Sequence, residues 1–139
     1  FPAIATAIQK HSKLHRTSPS KVIKGLFEKT ENYGSFAPEI EDPADPTTRP
    51  NSKLMRYIAS FDRSYWCGEE RGHCVRRSLE QYIDWCTTHA PEAISKMRYL
   101  TDCISTLEFG NEYKADITRS VQNMVDKGMI IVHRADPIF

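Results

Sequence analysis

Apolar residues fall mostly at three- and four-residue spacing along this chain, the repeat that lines one face of an α-helix. Leu54, Tyr57, Ile58 and Phe61 predict a helix in "NSKLMRYIASFDRS", and Val75, Leu79, Ile83 and Cys86 predict another in "CVRRSLEQYIDWCTTHA". Ile94, Met97, Leu100, Ile104 and Leu107 predict a third over 91–107, opened by Pro91. Ile117, Val121, Met124 and Val125 form the spine of a fourth over 114–127. Gly128 should end it, because glycine adopts a left-handed closing conformation without steric penalty. The β-branched run "MIIVH", 129–133, is the one predicted strand. Between the first two of these helices, "YWCGEERGHC" reads as a turn, with Glu69, Glu70 and Arg71 solvated.

Upstream the pattern is weaker. Ile4, Ile8 and Leu14 suggest a loose helix near 3–15. In "TSPSKVIKGLFEKT", Ser18 can cap, Pro19 suits the first helical position, and Val22, Ile23, Leu26 and Phe27 make an apolar stripe. Pro38, Pro43, Pro46 and Pro50 then forbid a helix, because proline lacks an amide hydrogen and has a fixed φ. The expected architecture is mostly α. It comprises a basic helical arm (1–32), a Pro-rich acidic linker (33–50) and a small helical domain (51–139) whose C-terminal end is a helix–turn–helix–strand.

Charge sharpens this division. The formal net charge over 139 residues is +1, but Lys10, Lys13, Arg16, Lys21, Lys24 and Lys29 face only Glu28 within residues 1–30. Residues 31–50 carry Glu31, Glu39, Glu41, Asp42 and Asp45 against Arg49, and the remainder balances. The longest apolar run, Met129 to Val132, falls far short of the roughly 18 residues that mark a membrane span. "FPAIATAI" lacks the charged flank of a targeting peptide, and a start at Phe1 rather than Met points to a processed product or an excised fragment.

The stretch "ITRSVQNMVDKGMIIVHR", preceded by the helix expected over 91–107, resembles the core of the winged helix–turn–helix superfamily. The resemblance covers 91–134 and implies that helix 114–127 enters the major groove, with the following strand leading into a wing. Lys114, Thr118, Arg119 and Gln122 would then face bases and phosphates, with His133 and Arg134 near the backbone at the start of the wing. These side chains are chemically suited to such contacts, since Arg pairs bidentately with guanine and Gln with adenine, while Thr and Lys reach phosphates. Lys127 and the arm residues Lys10, Lys13, Arg16, Lys21 and Lys24 would hold phosphates. The bland alternative is that Arg119 and Gln122 form the solvated face of an amphipathic helix, near the opposing charges Asp116 and Asp126.

Other chemistry is sparse. Cys67, Cys74, Cys86 and Cys103 contain no Cys-x-x-Cys pair. Cys67, Cys74, Cys86 and His89, with His73 as substitute, make a weak zinc set, and a Cys67–Cys74 disulfide is the competing option. Cys86 and Cys103 otherwise behave as small hydrophobes on helix faces. No nucleophile–base arrangement, phosphate loop or HExxH motif is present. The expectation is therefore a non-enzymatic, intracellular nucleic-acid-binding module with DNA or RNA as partner. It carries no metal, no cofactor, no membrane association and no evident small-molecule substrate. The alternative is a domain for protein–protein interaction or self-association.

Overall fold

Two consecutive strand–helix–strand crossovers organise the chain in the computed structural model, which describes residues 2–25, 29–107 and 110–136. The elements are α1 (Pro2–His15), α2 (Ser52–Ala59), β1 (Ser64–Gly68), α3 (Cys74–His89), β2 (Met97–Ile104), α4 (Asn111–Asp126) and β3 (Ile130–Val132). The strands form one parallel sheet in the order β1-β2-β3, with α3 and α4 as the crossover helices. Parallel strands require such crossovers, and helices then cover the sheet. The fold is α/β, which corrects the mostly α expectation.

The correction centres on 91–107. Pro91 opens a short 3-10 turn, Pro91–Lys96, which buries Ala93 and Ile94. The chain then extends as β2, burying Met97 and Tyr99 on one face with Arg98 between them. A helix would have gathered Met97, Leu100 and Ile104 on one side; the strand instead selects Met97 and Tyr99 at its own period of two. With strand β2 where the helix ahead of α4 was expected, that helix–turn–helix pair is not formed. A second strand also replaces an expected turn: "SYWCG" is β1, in register with β2 through Ser64–Met97, Tyr65–Arg98 and Trp66–Tyr99.

Elsewhere the helical periodicity is realised. Val75, Leu79, Ile83 and Cys86 are all buried along α3, joined by Ser78 and Tyr82. The α4 spine is buried at Ile117 and Met124, and its helix begins three residues earlier than expected. Its end is a Schellman closure: Gly128 at φ +113 donates to the Val125 carbonyl (2.8 Å) and Met129 donates to the Met124 carbonyl (3.1 Å). Met124 and Met129 are both buried, supplying the apolar contact that accompanies this motif. In α2 the inward arc is shifted: Asn51 caps the helix by accepting from the Leu54 amide (3.0 Å), Met55 is buried, and Tyr57 and Phe61 point outward.

Segment 17–25 is not helical, and Gly25 sits at φ +76, off the helical path; Val22 and Ile23 are exposed. Leu26 and Phe27 and the Ile4 side chain lie outside the described residues. Within 33–50 the chain is anchored on α3. Phe36 enters the core, Ser35 N donates to Ser78 Oγ (3.0 Å), and Gln81 Oε1 accepts from Phe36 N and Ala37 N. None of the described helices is long and apolar enough to cross a membrane.

Candidate functional site

All three strands run the same way, so their C-terminal ends bring together residues 69–73, 105–107 and 133–136. Ligands of open α/β sheets gather at such an edge. Backbone bonds knit the first two loops: Arg71 N donates to Ser105 O (2.9 Å) and Ser105 N donates to Gly68 O (3.1 Å). The Arg71 side chain reaches into the sheet, donating through Nη2 to the carbonyls of Thr101 and Ile104, with its guanidinium 5.9 Å from the Tyr99 ring centroid.

Beside Arg71, Glu70 is only 9% exposed. Its Oε1 accepts from Tyr113 OH (3.5 Å) and lies 3.9 Å from His73 Nε2, and the Tyr113 hydroxyl also meets His73 Nε2 at 3.0 Å. The turn that looked solvated in the sequence is therefore partly interior. Glu70 Oε2, Arg71 Nε and Tyr99 OH are buried polar atoms without a hydrogen-bond partner among the described residues. Burial pushes the Tyr99 pKa up, opposed by the Arg71 charge and reinforced by Glu70. The phenol therefore keeps its proton at neutral pH.

A cavity of about 340 Å³ opens from Tyr99 and Arg71 between the sheet and α4. Ile131 shares register with Tyr99, lines this cavity and remains 45% exposed.

The residues expected to read nucleic acid divide into four sets. Lys114, Thr118 and Gln122 line this cavity together with Ile117 and Val121. Thr118 Oγ1 donates to the Lys114 carbonyl (2.9 Å), and Gln122 Nε2 donates to Asp126 (2.8 Å). Arg119, Lys127 and Arg134 are held by carboxylates: Asp116 at 2.9 Å, Asp84 at 3.5 Å and Asp102 at 3.3 Å. His133 is exposed, with its amide donating to Asp136. The arm residues Lys10, Lys13, Arg16, Lys21 and Lys24 are all exposed. None of these five forms an ion pair among the described residues, and Lys24 Nζ donates to the Tyr33 carbonyl.

All four cysteines carry free thiols, with Cys86 buried in the core and Cys103 exposed on β2 rather than on a helix face. Among the described residues no group of three or more His, Cys, Asp or Glu converges as a metal site. Sequence reasoning missed Arg71 and Tyr99, which lie 28 positions apart and meet only because β1 and β2 are neighbours. The signal that could have found them was the aromatic run Tyr65–Trp66, a strand former directly ahead of the charged turn. Comparison with known protein families, with curated proteins and with solved structures returns no match for this chain.

Proposed function

We propose that the chain is a non-enzymatic nucleic-acid-binding module whose grip on phosphate is the basic arm rather than α4. One observation carries this reading: five cations of the folded core are compensated by carboxylates, whereas the arm cations are not among the described residues. Arg76, Arg77, Arg119, Lys127 and Arg134 each sit beside a carboxylate. Lys10, Lys13, Arg16, Lys21 and Lys24 do not pair with one among the described residues, and all five project from the exposed segment 2–25. Exposed, unpaired cations along a narrow segment neutralise phosphates and release condensed counterions, without requiring base contacts. Binding of this kind is weakly selective and strongly salt-dependent.

The test is fluorescence anisotropy with duplex DNA, single-stranded DNA and RNA at two salt concentrations. Replacing the five arm cations by Gln should abolish most binding at low salt. For the wild type on duplex, the slope of log affinity against log salt should be about −0.9 for each phosphate neutralised. Arg119→Ala with Gln122→Ala should leave affinity nearly unchanged. Retained binding in the arm variant, or no binding by the wild type at low salt, overturns the proposal.

A second reading, protein interaction, has its own support. On the sheet face away from Tyr99, Tyr65 and Ile130 flank Arg98 in register and remain 41% and 42% exposed. Binding to a partner protein through this face would show little salt dependence and would be lost in Tyr65→Ala with Ile130→Ser.

A further inference from the structure

The cavity between β2, β3 and α4 has a chemistry that the arm does not share. Its lining contains two cations, Arg71 and Lys114, and no Asp or Glu among the described residues. Arg71 meets backbone carbonyls rather than a carboxylate, and neither cation forms an ion pair among the described residues. Two buried atoms on the lining residues, Tyr99 OH and Arg71 Nε, lack partners among the described residues. Leaving such groups unpaired is unfavourable by an amount comparable to a lost hydrogen bond. Tyr99 lines this cavity and is 1% exposed, with its hydroxyl buried. The apolar part of the lining comes from Ile117 and Val121 on α4 and Ile131 on β3.

We infer that this cleft binds a small organic oxyanion, a carboxylate or a phosphate monoester carried on an apolar body. The oxyanion accepts from Tyr99 OH and Arg71 Nε, Lys114 supplies the second charge, and the apolar body lies against Ile117, Val121 and Ile131. A cavity of about 340 Å³ falls at the lower end of the range for small-molecule sites, which suits a ligand the size of a single substituted ring. Glu70 does not line the cleft; its Oε1 is engaged with Tyr113 and His73.

The experiment is a two-dimensional amide NMR titration of the full chain with benzoate, phenyl phosphate and the uncharged benzamide. Benzoate and phenyl phosphate distinguish the two sources of the oxyanion. At least one should saturate with a dissociation constant on the order of 1 mM or tighter. It should shift the amides of Arg71, Thr101, Lys114 and Thr118, while benzamide shifts none of them. Tyr99→Phe, which removes one hydroxyl from a packed ring, should weaken binding about tenfold without unfolding the domain. Lys114→Gln, a surface change, should weaken it severalfold. The proposal is overturned if neither anion shifts these amides, if benzamide binds equally well, or if Tyr99→Phe leaves affinity unchanged. It stands independently of the arm: Tyr99→Phe and Lys114→Gln should leave salt-dependent nucleic-acid binding intact, so either reading can fail alone.

Discussion

At the scale of single residues, the most telling position is Gly34. A Cβ there would overlap the terminal amide of Gln81, which is the group that fastens residues 36 and 37 to α3. Gln81 Oε1 accepts from Phe36 N at 3.2 Å and Ala37 N at 3.3 Å, and its Nε2 donates to Ala37 O at 2.9 Å. Displacing one side chain therefore breaks three bonds and loosens the entry of Phe36 into the core. Gly34→Ala is expected to destabilise the fold by about 1–3 kcal/mol, the range for stranding partly buried backbone groups. A shift in the urea midpoint with an unchanged m-value would measure it. In a Gln81→Ala background the obstruction is gone, so the same substitution should have much less effect. An equal effect in both backgrounds would show that Gly34 acts through its own backbone instead.

At the scale of elements, α1 and β2 should differ most. β2 is hydrogen-bonded on both sides and buries Met97 and Tyr99, whereas α1 is a 14-residue helix with almost every described side chain exposed. Isolated helices of that length are marginal in water. Hydrogen exchange should label α1 at the earliest times and 97–104 last. Slow exchange in α1 would mean that the arm is docked, and its cations would no longer be open to phosphate. The same contrast explains what the sequence disclosed. α3 and α4 were legible because Leu79, Ile83, Ile117 and Met124 keep helical spacing, and Gly128 closes α4 as its lack of a Cβ allows. β2 was not, because Ile94, Met97, Leu100 and Ile104 satisfy helical spacing by coincidence while the strand buries Met97, Tyr99 and Ile104 and leaves Leu100 only half-buried. β1 was hidden by its brevity. Of the cavity, the α4 wall was readable as a polar stripe containing Lys114 and Thr118. Arg71 and Tyr99 were not, since only parallel pairing brings them together.

At the scale of the whole molecule, carboxylates tie the crossover helices to each other, and the arm cations have no such partner among the described residues. Arg76 on α3 meets Asp116 on α4 at 2.6 Å, Asp116 also accepts from Arg119, and Ser120 donates to Glu80 at 2.9 Å. The bond from Arg76, then that from Arg119, holds the Asp116 carboxyl below its ordinary value of 3.8, and the same contact raises Arg76. Because the folded pKa is depressed, the unfolded chain takes up this proton first as pH falls. The stabilisation is complete above the unfolded value and is lost as pH drops through the folded one. Asp116→Asn should therefore be less stable than wild type at pH 7, with the gap in urea midpoint closing below about pH 4 as the wild-type carboxyl protonates. Both groups are partly exposed, so raised salt should also narrow the gap at pH 7. A gap that persists undiminished at low pH would assign the effect to packing rather than to the ion pair. Asp116→Asn also releases Arg119 on the outer face of α4, so the same variant probes the charge division behind the arm's proposed role. If nucleic-acid affinity rises with the freed arginine, compensation by Asp116 is what keeps α4 from joining the arm.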